Sequence, residues 1–272
     1  MKNFILLIAS VLLISCGQNK DDRTINFPKS LELVNEMPSK DNVWVFILAG
    51  QSNMAGRAFV EPADTISNNR VLSININGQL VCAKEPLHFY EPSNTGLDCG
   101  LSFAKQLLTN IPDSVTILLV PTAVGGSSVG QRLGDSIHRD VKLLSNFKSK
   151  VDIAKRYGNI KGVLWHQGEN DANPSDVSKY EIKLTSLFEV FRTIVGNGNL
   201  PILIGELGSY SSENENWKSI NEKIGNVAKK DSNIYIISTV DLKDKGDKVH
   251  FNSESQRLMG ERMARTFGST YK

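Results

Sequence analysis

The chain has 272 residues, with 31 Lys and Arg against 29 Asp and Glu and a formal net charge of +2. That near balance, with no basic block anywhere along the chain, argues against nucleic acid as a partner. The absence of repeats and low-complexity tracts excludes a solenoid, and the stretch from residue 43 onward is long enough for one domain with a sizeable core.

In chain order, Lys2 and Asn3 precede an apolar run over 4–14, too short to span a bilayer as a helix and of the form of a secretory signal. It ends in Leu13-Ile14-Ser15-Cys16, which resembles the lipobox of bacterial lipoproteins. Residues 1–15 are therefore expected to be a signal peptide and Cys16 the lipidated first mature residue. Residues 16–42 are polar and interrupted by Pro28 and Pro38; they are expected to tether a domain at 43–272 to a membrane through the lipid at Cys16. Lys20-Asp21-Asp22 resembles a short acidic export signal of surface lipoproteins. The expected location is the bacterial cell envelope, at the outer membrane, facing the periplasm or the surface.

Within 43–272, apolar runs of strand length at 43–49, 71–76, 115–120, 160–165, 200–204 and 234–238 alternate with helical patterns at 101–109, 139–157, 176–195 and 215–230. Several runs are continuous and rich in Val and Ile, as parallel strands covered on both faces require. The alternation predicts an α/β sandwich. Cys82 and Cys99 either form a disulfide around the loop carrying Pro86, His88 and Tyr90 or remain free buried thiols.

Ligands of such sheets sit at the carboxyl ends of the strands, so the residues just after each run carry the functional information. They are Gly50-Gln51-Ser52-Asn53 after the first, a loop with Gly125-Gly126 after the third, His166-Gln167-Gly168-Glu169 after the fourth, and a segment reaching His250 after the last. A serine where a buried strand ends and a helix begins is held rigidly at a cleft, but it needs a base and a group that orients the base. His250 has Asp247 three residues earlier, and Ser253-Glu254-Ser255-Gln256 after it reads as a capping box. His88 and His138 lack such a setting, and His166 reads as a hydrogen-bonding support.

The segments Gly50-Gln51-Ser52-Asn53-Met54-Ala55-Gly56, Trp165-His166-Gln167-Gly168-Glu169 and Asp247-x-x-His250 together resemble the SGNH-hydrolase superfamily, and within it the branch of carbohydrate esterase family 6 and the sialate O-acetylesterases. The resemblance implies a three-layer α/β/α sandwich with a mainly parallel, flavodoxin-like sheet and no cofactor or metal. It makes Ser52 the nucleophile, His250 the base and Asp247 its orienting acid. The oxyanion hole would combine N–H groups of Ser52 and the Gly125-Gly126 loop with the Gln167 side chain. Gln51 and Gln167 stand where the wider superfamily has Asp and Asn, as they do in this branch, and Asp98-Cys99-Gly100 replaces a common Gly-Pro-Gly.

For Glu169 two roles are open, a second acidic partner of His250 or a brace beneath the oxyanion loop; for Arg57, substrate contact or a structural ion pair. Met54 and Ala55 either wall a small acyl pocket beside Ser52 or pack under the first helix. The implied activity is removal of O-acetyl groups from a poly- or oligosaccharide. Acetylxylan or a related glycan is expected, because the chain has no room for the added β-rich domain of the larger sialate O-acetylesterases. A sialate O-acetylesterase is the alternative within the class, and a non-catalytic glycan-binding surface lipoprotein the alternative outside it.

Overall fold

The computed structural model describes residues 23–211 and 214–270. The apolar leader, Cys16 and the acidic run at 20–22 lie outside the described residues. In chain order the elements are β1 (Val43–Gly50), β2 (Val71–Ile74), β3 (Leu80–Cys82), α1 (Gly100–Leu107), β4 (Thr116–Pro121), α2 (Val129–Leu133), β5 (Ile137–His138), β6 (Val141–Lys142), α3 (Leu143–Tyr157), β7 (Asn159–His166), α4 (Val177–Val195), β8 (Ile202–Gly205), α5 (Asn214–Lys230), β9 (Ile234–Ile237) and α6 (Ser253–Thr270).

β1 is buried at every position because both its faces are covered. With side chains alternating along a strand, Val43, Val45, Ile47 and Ala49 enter one apolar cluster and Trp44, Phe46 and Leu48 the other. The first cluster is completed by Phe147 of α3, Tyr180 and Leu184 of α4 and Ile220 and Ile224 of α5. The second is completed by Phe103 of α1 and Met259, Met263 and Phe267 of α6. These are the three layers of an α/β/α sandwich.

The large sheet has the order β3-β2-β4-β1-β7-β8-β9. All its pairs are parallel except β2 with β3. Without the β2–β3 hairpin, its five strands follow the flavodoxin-like order 2-1-3-4-5. The chain leaves β1 on one side toward β4 and later passes to β7 on the other, so a crevice opens at the carboxyl ends of these three strands.

Three local differences from the sequence reading have physical causes. The strand expected over 71–76 stops at Ile74, because the Asn75 side chain accepts the N–H groups of Asn77 and Gln79 and folds the chain into β3. The helix expected from residue 139 starts at Leu143, because Arg139 and Asp140 adopt positive φ and turn β5 into β6. The cap of α6 is Asn252, whose side chain accepts the Ser255 N–H, while the Ser253 hydroxyl donates to the Phe59 carbonyl.

The described part of the expected tether lies against the domain. Cys82 N–H donates to Glu32 O and Val34 N–H to Leu80 O, at 2.8 and 3.2 Å, which covers the exposed edge of β3. Phe27 packs on Ala58, Val60 and Leu97. The disulfide alternative for Cys82 and Cys99 is not realised: both are free thiols, and Cys99 sits buried against Met54 with its Sγ 3.9 Å from the Met54 Sδ.

Candidate active site

Ser52 lies two residues past β1, and Gly50 makes that position reachable. At φ +142° a Cβ on residue 50 would lie 2.1 Å from the His166 carbonyl oxygen, so only glycine lets β1 end this close to β7. The Ser52 Oγ lies 3.0 Å from His250 Nε2, and His250 Nδ1 lies 2.8 Å from Asp247 Oδ2. The three side chains form one hydrogen-bonded row.

The loop that carries His250 is built by two aspartates. Asp244 accepts the N–H groups of Gly246 and Lys248, the latter at φ +59°. Asp247 Oδ1 accepts the N–H groups of Val249 and His250, leaving Oδ2 for the imidazole. Burial pushes the Asp247 carboxyl up, but the backbone N–H and ring of His250 and the N–H of Val249 outweigh it and bring it down to about 2. An ionised Asp247 fixes the proton of His250 on Nδ1 and leaves the Nε2 lone pair toward Ser52.

Asn53 clamps this loop onto the end of β1. Its Nδ2 donates to Val249 O at 3.1 Å and its Oδ1 accepts the Phe251 N–H at 3.0 Å, so it grips the backbone on both sides of His250. The same Nδ2 reaches Glu169 Oε1 at 2.6 Å, and Gln256 Nε2 donates to the Asn53 carbonyl. Sequence reasoning assigns Asn53 no role. Its only signal is its place beside Ser52, because its partners lie far along the chain.

The row opens into a cleft of about 690 Å³ lined by Gln51, Ser52, Gly126, Glu169, Asn170 and His250, with Arg23, Arg57, Arg139 and Lys245 around it. Glu91 joins two of these cations. Arg57 Nη2 contacts both its oxygens at 2.8 Å, and Arg139 pairs with it as well. Arg23 is held by the carbonyls of Thr95 and Pro92. The ion-pair role for Arg57 is therefore realised at a place where Arg57 also lines the cleft, and burial lowers its pKa to about 10.

Residues 42–269 match the family model "Carbohydrate esterase, sialic acid-specific acetylesterase". The chain belongs to this family. The Arabidopsis thaliana protein named "Probable carbohydrate esterase" is 28% identical over 251 residues, covering 84% of this chain and 91% of that protein. Its solved structure superposes with a TM-score of 0.75 at 26% identity, over 85% of this chain and all of the other. NanS has the same fold, with a TM-score of 0.68 at 20% identity over 87% and 99% of the two chains. A carbohydrate acetylesterase from Xanthomonas citri shares it at a TM-score of 0.62 and 19% identity, over 82% of this chain and 55% of that one.

Two residues expected in the oxyanion hole, Gly125 and Gln167, spend their N–H groups elsewhere. Gly125 does not offer its N–H to the cleft, because that N–H donates to Glu91 Oε2 at 2.5 Å. A Cβ on residue 125 would lie 2.1 Å from Arg57 Nη2, so the glycine is there to admit the ion pair. Gly126 lines the cleft, and its N–H has no partner among the described residues.

Gln167 is turned away. Its Nε2 faces Asp171 Oδ2, Gln51 Oε1 and Ser127 O at 2.6, 3.1 and 3.2 Å, which absorbs both its N–H groups. Its Oε1 meets the Tyr180 hydroxyl at 3.2 Å. It belongs to a buried layer behind the cleft, together with Asp171, whose carboxyl burial pushes up.

Met54 and Ala55 are buried beneath the turn, away from the cleft, so they wall no acyl pocket. His166 is wholly buried, with Nε2 3.0 Å from Glu206 O and Nδ1 3.6 Å from Glu169 Oε1; burial pulls it below the ordinary imidazole value. Glu169 Oε1 accepts from Asn53 Nδ2, and Glu169 makes no hydrogen bond to His250 among the described residues. His138 Nε2 donates to Gly125 O at 2.9 Å. His88, which lacks the loop setting of His250 in the sequence, nevertheless has a carboxylate partner: its Nδ1 lies 2.8 Å from Asp98 Oδ2 in the interior.

Proposed function

We propose that the chain is a serine esterase that removes O-acetyl groups from carbohydrate, with Ser52 as nucleophile, His250 as general base and Asp247 as the acid that orients it. The observation that carries this reading is the unbroken row from Ser52 Oγ through His250 to Asp247 at the edge of an open cleft.

In the first half-reaction Ser52 Oγ bonds to the acetyl carbon while its proton passes to His250 Nε2, and the carbonyl electrons move onto oxygen. Asp247 stays ionised and stabilises the imidazolium. Backbone N–H groups of Ser52 and Gly126, both without a partner among the described residues and both on residues that line the cleft, are the donors this reading assigns to that oxygen. The intermediate collapses as the bond to the sugar oxygen breaks, and His250 returns the proton to the departing hydroxyl. Water then attacks the acetyl-serine with His250 again taking the proton, which releases acetate and restores Ser52.

The substrate we infer is acetylated xylan or a related glycan, presented as one decorated sugar of a chain to a cleft lined by groups that hydrogen-bond hydroxyls, such as Asn94, Asn170 and Lys245. A second reading, an O-acetylated sialic acid, is favoured by the cations around the cleft, where Arg23 has carbonyls rather than a carboxylate as partners. The proposal includes acylation at Cys16 and attachment to the cell envelope; Cys16→Ser is then expected to abolish partition into detergent.

Acetate release from an aryl acetate, acetylated xylan and O-acetyl sialic acid tests the reading. Wild-type turnover that is lost in a folded Ser52→Ala protein is expected. No turnover on any of them would leave a glycan-binding protein, and a clear preference for O-acetyl sialic acid would select the second substrate.

A further inference from the structure

Gln51 connects β1 to Ser52 and is 3% exposed, yet its side chain reaches the cleft. Its Oε1 is pinned from two sides, by Gln167 Nε2 at 3.1 Å and by the backbone N–H of Asn170 at 3.2 Å. A backbone N–H can only donate, so this second bond settles which end of the amide is oxygen. The other end, Nε2, has no partner among the described residues, while every polar atom of the neighbouring Gln167 amide is engaged. A rigidly held donor with no acceptor among the described residues, on a residue that lines the cleft beside the reacting serine, is free to meet a substrate oxygen.

We propose that Gln51 Nε2, rather than Gln167, is the side-chain donor to the acyl oxygen in the tetrahedral state, and that Gln167 and Asn170 position it. This rests on the serine esterase reading and completes its oxyanion hole as Ser52 N–H, Gly126 N–H and Gln51 Nε2–H. No proton is transferred by Gln51: as the Ser52 Oγ–carbon bond forms and the carbonyl pair moves to oxygen, the amide only strengthens an existing hydrogen bond. Gln167 acts one step behind. Held by Asp171, Ser127 and Tyr180, it aims the Gln51 oxygen inward and so the nitrogen outward.

Gln51→Glu keeps the acceptor that Gln167 and Asn170 require and removes the donor. At pH 8 with an aryl acetate, a folded Gln51→Glu protein is expected to lose about 100- to 1000-fold in kcat with KM within about threefold. Activity within about fivefold of wild type in the folded variant would overturn the assignment. A crystal structure of the wild-type protein inactivated by an alkyl phosphonate on Ser52 decides it whether or not the variant folds. The phosphoryl oxygen is expected at about 2.7 to 3.1 Å from Gln51 Nε2; an oxygen bound by Gln167 or by no side chain contradicts the proposal. If the wild-type protein neither releases acetate nor reacts with the phosphonate, the esterase reading itself has failed, which is a different result.

Discussion

Two histidine–carboxylate pairs in this molecule have the same bond and opposite surroundings. His250 Nδ1 lies 2.8 Å from Asp247 Oδ2, and His88 Nδ1 lies 2.8 Å from Asp98 Oδ2. The side chains of the first pair are 21% and 39% exposed, those of the second 2% and 0%. What separates them is the other ring nitrogen: His250 Nε2 faces Ser52 Oγ at 3.0 Å in the cleft, whereas His88 Nε2 is buried without a hydrogen-bond partner among the described residues. A carboxylate that orients an imidazole is thus an ordinary structural device. It becomes part of a reacting unit only where a nucleophile and a substrate can reach the free nitrogen.

The contrast is sharpest when the two carboxylates are neutralised in turn. Asp247→Asn is expected to lower kcat by about ten-thousandfold, because the amide favours the wrong imidazole tautomer. Asp98→Asn is expected to leave kcat of the folded protein within a few fold while costing about 1 to 3 kcal/mol of stability, since Asp98 also accepts the Gly100 N–H at the start of α1. Rates at saturating aryl acetate, paired with urea unfolding, separate the two outcomes; equal losses of kcat would erase the distinction between the pairs.

A smaller effect is expected where the first pair is held in place. Asn53→Ala leaves the Phe251 N–H without its acceptor and frees the loop around His250. A displacement on the order of 1 Å costs about a hundredfold in rate, so a loss of about 10- to 100-fold in kcat is expected. Glu169→Gln keeps an acceptor for Asn53 and is expected to lose less than about tenfold; a loss matching Asp247→Asn would make Glu169 the partner of His250 instead.

The smallest effect concerns the interior near the second pair. Burial, then the charges of Asp98 and Asp64, hold the Glu85 carboxyl well above its ordinary value. A raised carboxyl binds its proton more tightly in the folded protein, so its contribution to stability is complete below the unfolded pKa and is lost as pH rises through the folded one. Glu85→Gln is therefore expected to flatten the fall in stability toward alkaline pH. Urea midpoints measured from about pH 4 to 9 would show it, and an unchanged slope would mean that Glu85 ionises freely in the interior.

Much of this is legible in the sequence where neighbours in the chain act together. The unbroken run from Val43 to Ala49 marks a strand buried on both faces, and Ser52 at its end and Asp247 three residues before His250 are local patterns. The parts that cannot be read there depend on contacts between distant segments. That Gln167 spends its amide on Asp171, that Gly125 gives its N–H to Glu91 and that Asn53 grips the His250 loop all depend on packing across strands. A residue type at a motif position states what it can donate but not toward what. His88 shows the same limit from the other side, because its carboxylate lies ten residues away across a loop whose path composition does not reveal.

If His250, with Asp247 behind it, activates Ser52, the serine must be selectively reactive toward an electrophile that mimics the ester carbonyl. Reaction with a fluorophosphonate, followed by mass spectrometry of the digested protein, tests this most directly. A single adduct on Ser52 is predicted, formed rapidly by the wild-type and Asp98→Asn proteins and lost in His250→Ala. An adduct on another serine, or unchanged labelling of Ser52 in His250→Ala, would contradict it.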